Sequence, residues 1–137
     1  MTAEPDWIFN ERIASDCTIG NQVVLDIIGR MKQIGWSESE LFGIHLALEE
    51  AIINAIKHGN RESPDKQVHV AVRASLDSFF LEVTDEGQGF DPDDVPDCTA
   101  TENLEVCSGR GLMLMYHYMD EVRYNDVGNS LQIRKTR

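Results

Sequence analysis

The chain has 137 residues, of which 42% are hydrophobic and 26% charged, with a formal net charge of −12. That length and balance fit one soluble domain with a modest core, and no apolar run is long enough to span a membrane. The charge is uneven: from Ala74 to Gly109 there is no Lys or Arg but ten Asp and Glu residues. Such a surface repels nucleic acid and argues against direct DNA or RNA binding.

The N-terminus, Met1-Thr-Ala-Glu-Pro-Asp6, is acidic and lacks the basic-then-apolar plan of a signal peptide, so a cytoplasmic location is expected. Cys17, Cys98 and Cys107 are odd in number and form no Cys-x-x-Cys pair, as expected for free thiols in a reducing compartment.

In chain order, Trp7 to Ile13 reads as a first strand. From Thr18 to Gly35 the apolar residues Ile19, Val23, Val24, Ile27, Ile28, Met31 and Ile34 fall at helical spacing with one buried face. Gly35 suits the left-handed position after that helix. Ser37-Glu-Ser-Glu40 fits a capping box, with Trp36 placed to staple onto Leu41, and opens a second helix. Leu41, Ile44, Leu48, Ile52 and Ala55 form its inner face, and His58-Gly59-Asn60 is expected to stop it.

Val68, Val70 and Val72 alternate with His69, Ala71 and Arg73, the period of a half-buried strand. After a turn at Leu76–Ser78, the strand Ser78–Thr84 returns and runs straight into Asp85-Glu-Gly-Gln-Gly-Phe90. Asp91 to Cys107 carries two prolines and many acids with little periodicity, the character of a lid or binding loop. A short helix is expected from Gly111 to Met119. A last hairpin follows, Glu121–Asn125 and Ser130–Lys135, turning at Asp126-Val-Gly-Asn129. This order predicts an α+β fold: a two-layer sandwich whose antiparallel or mixed sheet carries helices on one face.

The chemistry concentrates on the second helix. Glu50 and Asn54 lie four residues apart, so both project from one face. On an otherwise apolar helix they are expensive to bury without partners. Together they could hold a hydrated divalent cation and accept a proton, or simply bond each other. Two glycine clusters follow, Asp85-Glu-Gly-Gln-Gly-Phe90 and Ser108-Gly-Arg-Gly-Leu112. Neither is Gly-x-Gly-x-x-Gly, and no Gly-Lys-Ser/Thr is present. Each alone is a weak signal, although a glycine-rich helix entry frees backbone N–H groups for phosphate oxygens. His45, His69 and His117 have no metal-ligand spacing, so no zinc site is expected.

The combination is more specific. Glu50-x-x-x-Asn54-Ala55-x-x-His58-Gly59 resembles the N box of the GHKL superfamily of ATPases and kinases. Asp85-x-Gly87-x-Gly89-Phe90 and Gly109-x-Gly111-Leu112-x-Leu114-Met115 resemble its two glycine boxes. Met119-Asp-Glu-Val122 is similar to the bacterial anti-sigma-factor serine/threonine kinases. The resemblance covers nearly the whole chain and implies one histidine-kinase-like ATP-binding domain over residues 1–137, of Bergerat-type fold, with residues 91–108 as the ATP lid.

By this resemblance Asn54 binds Mg²⁺ bridging the ATP phosphates, and Glu50 is the general base. Asp85 accepts from the adenine amino group. Gly87 and Gly89 let the chain pass close to base and ribose, while Gly109 and Gly111 cradle the phosphates. Lys57 and Arg110 are the nearest candidate cations for those phosphates. Such a kinase would phosphorylate a STAS-type anti-anti-sigma partner, engage a sigma factor and form a homodimer. The segment 91–108 lacks Lys and Arg, and Cys107 stands where such kinases often carry a basic residue. The competing expectation is therefore a nucleotide-dependent binding module without catalysis. A histidine-kinase catalytic domain is disfavoured, because no helical hairpin with an acceptor His precedes the N box.

Overall fold

The computed structural model describes residues 7–87, 118–125 and 129–136. Strand β1 (Trp7–Ala14) leads into helix α1 (Cys17–Ile34), and helix α2 (Glu38–Asn54) continues into a π-helical turn over Ala55–Gly59. Strands β2 (Gln67–Ala74), β3 (Ser78–Thr84), β4 (Glu121–Tyr124) and β5 (Ser130–Thr136) complete the described elements. The helix expected over Gly111–Met119 lies almost entirely outside the described residues, as does the expected lid.

Both helices begin where local chemistry dictates. Asp16 caps α1, its carboxylate accepting from the Thr18 and Ile19 N–H groups at 2.8 and 3.2 Å. The capping box of α2 is complete: Ser37 Oγ accepts from Glu40 N–H at 3.3 Å, and the Glu40 carboxylate accepts from Ser37 N–H at 3.0 Å. Ser37→Ala is therefore expected to lower stability by about 1 kcal/mol, read as a reduced denaturant midpoint at unchanged slope. An unchanged midpoint would show that tertiary packing alone fixes the start of α2. Helix α1 ends at Gly35, whose φ of 126° few other residues adopt. Trp36 is buried, and its indole N–H donates to the Ser75 carbonyl at 2.8 Å, tying the α1–α2 junction to the β2–β3 turn.

The sheet order is β1-β2-β3-β5-β4, and every pairing is antiparallel. This resolves the choice between an antiparallel and a mixed sheet. The register aligns Phe9, Val72, Leu81, Ile133 and Val122 in one row across all five strands. Val68, Val70 and Val72 on β2, Phe79, Leu81 and Val83 on β3, and Leu131 and Ile133 on β5 are buried. The alternate positions on β2 and β3, such as His69, Arg73, Phe80 and Glu82, are half-buried or exposed. The buried face packs against Val24, Ile27 and Met31 of α1 and Ile44, Leu48 and Ile52 of α2 in one continuous core. The helices thus cover one face of the sheet. No described helix is long and apolar enough to cross a membrane.

Candidate functional site

The site forms where the end of α2 meets the end of β3. Glu50 and Asn54 lie on the last turn of α2, half-buried, and Asn54 Nδ2 donates to Glu50 Oε1 at 3.0 Å. That bond uses the amide nitrogen of Asn54. Its carbonyl oxygen accepts no hydrogen bond among the described residues. Burial pushes the Glu50 carboxyl above the usual carboxylate range. The Asn54 hydrogen bond and the charge of His58 pull the other way, and Glu49 adds to the rise.

An open polar cleft of about 310 Å³ adjoins the pair, lined by Cys17, Asn21, Glu49, Glu50, Ile53, Asn54 and Lys57. The first turns of α1 form its far wall. Lys57 shares this cleft with Glu50 and Asn54. Glu49 is solvent-exposed as its helical angle requires, yet it borders the same cleft. Cys17 is a free, half-buried thiol 3.6 Å from Glu62 Oε1. Burial, and then the Glu62 hydrogen bond and charge, raise its pKa, so it borders the cleft as a neutral group rather than a reactive thiolate.

Beyond Asn54 the helix does not end at once but widens. The π-helical turn closes with Asn60 N–H donating to the Ala55 carbonyl at 2.8 Å, and Glu62 N–H donates to the Ile56 carbonyl at 2.8 Å. Arg61 and Glu62 then take positive φ values of 52° and 56°, a left-handed pair that reverses the chain toward β2 and is unfavourable for non-glycine residues. Single π turns inside helices recur at functional sites. This one brings Gly59 against Asp85, the first residue after β3. A Cβ on Gly59 would overlap the Asp85 carboxylate, and a Cβ on Gly87 would overlap the Gly59 carbonyl. Both glycines are needed for the helix end and the strand exit to touch.

Asp85 is held on several sides. Its N–H donates to the Asn129 carbonyl at 2.9 Å, and its Oδ1 accepts from Gly87 N–H at 2.8 Å. Thr84 and Ser130 hydroxyls bond across β3 and β5 at 2.8 Å. Burial raises the Asp85 carboxyl pKa, and the Gly87 N–H and the Lys66 charge hold it down. The half-buried carboxylate is a fixed acceptor whose Oδ2 takes no protein hydrogen bond among the described residues.

Of the residues singled out from sequence, Glu50, Asn54 and Lys57 border one cleft, and Asp85 and Gly87 meet Gly59 at the end of the same helix extension. Gly89, Gly109, Arg110 and Gly111 lie outside the described residues. The sequence reading missed Asn60, which looked only like a helix stop. It is 1% exposed, and its side chain bonds Ser15, Gln67 and Glu86. A polar residue just after a helical His-Gly gives no local signal of burial, because its partners are distant in sequence.

Among the described residues no group of three or more His, Cys, Asp or Glu side chains could hold a metal alone. The donor set still fits Mg²⁺ bound with nucleotide. That ion usually keeps waters and takes one or two protein oxygens plus substrate phosphates, and Asn54 offers a carbonyl oxygen beside a carboxylate.

Comparison with known proteins identifies the family. The family described as the histidine kinase-like ATPase domain matches residues 20–135. The chain is 31% identical over 105 residues to the serine-protein kinase RsbW of Bacillus subtilis, covering 72% of this chain and 66% of that one. It is 34% identical over 110 residues to the anti-sigma F factor of Priestia megaterium, covering 75% of this chain and 74% of that one. In fold it is similar to the crystal structure of the RsbU and RsbW domains of a Mycobacterium tuberculosis protein. The TM-score there is 0.60 at 17% identity, over 97% of this chain and 32% of that one. The matched span contains the Glu50–Asn54 helix, the Asp85 strand exit and the glycine clusters between them and the last hairpin, and on that basis the chain belongs to the histidine kinase-like ATPase domain family.

Proposed function

We propose that this chain is an ATP-dependent serine/threonine protein kinase of the anti-sigma-factor type. Its protein substrate is a STAS-type anti-anti-sigma partner, and it engages a sigma factor in the same switching system. It works in the cytoplasm as one ATP-binding domain, with a homodimer as the expected assembly. The observation that carries this reading is the hydrogen-bonded Glu50–Asn54 pair, set beside a polar cleft on the helix whose end packs against Asp85.

Phosphoryl transfer depends on positioning and charge neutralisation more than on covalent chemistry. Asn54 Oδ1 would hold Mg²⁺ without adding negative charge. The bound ion supplies charge neutralisation for the phosphates, which an acidic protein needs. Glu50 takes the proton of the acceptor hydroxyl. Burial raises its pKa, which makes its ionised form a stronger base than an ordinary carboxylate. Asn54 orients that carboxylate through Nδ2. Lys57, on the cleft wall, meets the phosphates from the helix side. Asp85 receives the adenine amino group on its free oxygen, with Gly87 and Gly89 lining the base and ribose. Gly109, Arg110 and Gly111 serve the phosphates, and residues 91–108 close over them as the lid.

Incubation with γ-labelled ATP, Mg²⁺ and a purified STAS-type partner tests the assignment. Label is expected on a Ser or Thr of the partner and nowhere on His. Tight ATP binding with no transfer to any of several STAS partners would instead establish a nucleotide-dependent binding module. The absence of Lys and Arg from residues 91–108 makes that the outcome to watch.

A further inference from the structure

Asn60 and Ser15 are the buried polar residues among those described, and they bond each other. Asn60 Nδ2 donates to Ser15 Oγ at 3.0 Å and to the Gln67 carbonyl at 3.0 Å. Asn60 Oδ1 accepts from Glu86 N–H at 2.7 Å. Ser15 Oγ donates onward to the Lys66 carbonyl at 2.6 Å. One side chain therefore joins the exit of β1, the end of the α2 extension, the start of β2 and the turn after β3.

Glu86 is held a second time, since its carboxylate accepts from Gln67 N–H. Residue 86 lies between Asp85 and Gly87, so fixing it fixes the carboxylate on one side and the Gly59 contact on the other. The demand on position 60 is two donors and one acceptor in a dry site. A carboxamide meets it, whereas a carboxylate offers no donor and a hydroxyl too few. A buried polar group with every bond made rigidifies its surroundings, and one with bonds missing is costly.

The proposed roles of Asp85 and of Glu50–Asn54 put the two ends of the nucleotide on these two joined segments, and the inference rests on that reading. We propose that Asn60 is a positioning residue for adenine selectivity. It never touches nucleotide. It sets the Asp85 carboxylate relative to the Glu50–Asn54 helix by fixing residue 86, which Asn60 holds at the N–H and Gln67 N–H holds at the carboxylate, both bonds being needed for base and phosphates to be engaged together.

The test compares affinities for ATP and for purine riboside triphosphate, which lacks the 6-amino group, alongside thermal unfolding of each variant. The wild-type chain is expected to prefer ATP about tenfold or more. Asn60→Ala is expected to weaken ATP about tenfold while leaving the analogue nearly unchanged, so the preference collapses toward one. A role confined to stability would reduce the folded fraction and weaken both nucleotides alike, with the preference intact. Glu86 is exposed, so its variants serve where Asn60→Ala does not fold. Glu86→Ala is expected to lower the preference about threefold, and Glu86→Gln to restore it, because the amide oxygen still accepts from Gln67 N–H. An unchanged preference in folded Asn60→Ala, or in Glu86→Ala, overturns the inference alone. A wild-type chain that binds ATP and the analogue equally overturns the Asp85 assignment and the inference with it.

Discussion

Glu50→Gln is expected to lower the rate of phosphoryl transfer about 10²- to 10⁴-fold, the range that a positioned general base contributes. ATP affinity should change little. Gln has the same shape, and its carbonyl oxygen can still accept from Asn54 Nδ2 as Glu50 Oε1 does at 3.0 Å. The half-buried carboxylate is removed together with its desolvation cost, so thermal stability should hold or rise. Single-turnover transfer with saturating ATP and a STAS-type partner measures the rate, and equilibrium titration measures binding.

The pH profile supplies a second reading of the same group. Glu50 must be ionised to accept a proton, so activity rises as pH climbs through its pKa. Burial places that pKa above the ordinary Glu value of about 4.3. The acid limb of kcat/KM, which reports the free enzyme, should therefore sit higher than an exposed carboxylate would give. Rates that survive in Glu50→Gln, or a limb at the ordinary value, would remove Glu50 from the base role.

The second large effect falls on nucleotide binding. Asp85→Asn is expected to weaken ATP by about 1.5–3 kcal/mol, the worth of a hydrogen bond to a charged acceptor, or roughly ten- to hundredfold. Oδ1 of Asp85 already accepts from Gly87 N–H at 2.8 Å. An asparagine has one carbonyl oxygen, so it can satisfy Gly87 or the adenine amino group but not both. Gly59→Ala should act in the same direction without altering the acid itself, because the new Cβ would displace the Asp85 carboxylate. Unchanged affinity in both variants would move the base-recognition site elsewhere.

Much of the frame is written in local sequence. The period-two run at Val68–Val72, the helical spacing from Ile19 to Ile34 and the Ser37–Glu40 capping box each fix an element through contacts a few residues apart. The elements appear where those patterns place them, with bounds differing by one or two residues. Glu50 and Asn54 are legible for the same reason: one helical turn separates them, so their pairing needs no tertiary information. Asp85 is legible as an acid at the end of an alternating strand.

Other features depend on contacts between segments far apart in the chain. Strand order places β5 between β3 and β4, and the antiparallel register follows from pairings such as Leu81 with Ile133. The helix end looked like a plain stop at His58-Gly59-Asn60, but it widens into a π-helical turn that delivers Gly59 to Asp85. That widening is not coded in Ala55–Gly59 alone; it accompanies a contact with a strand exit 26 residues away, measured from Asn60 to Glu86.

The sequence alone determined which residues carry charge, which faces are apolar, and that an acid–amide pair shares a helical face with glycine clusters downstream, because these are matters of composition and short-range spacing. Tertiary structure alone decided that Asn60 is buried with three partners, that Lys57 and Cys17 share a cleft with the pair, and that Gly87 abuts Gly59. Burial and hydrogen-bond satisfaction are properties of segments brought together in space, and no single segment carries them.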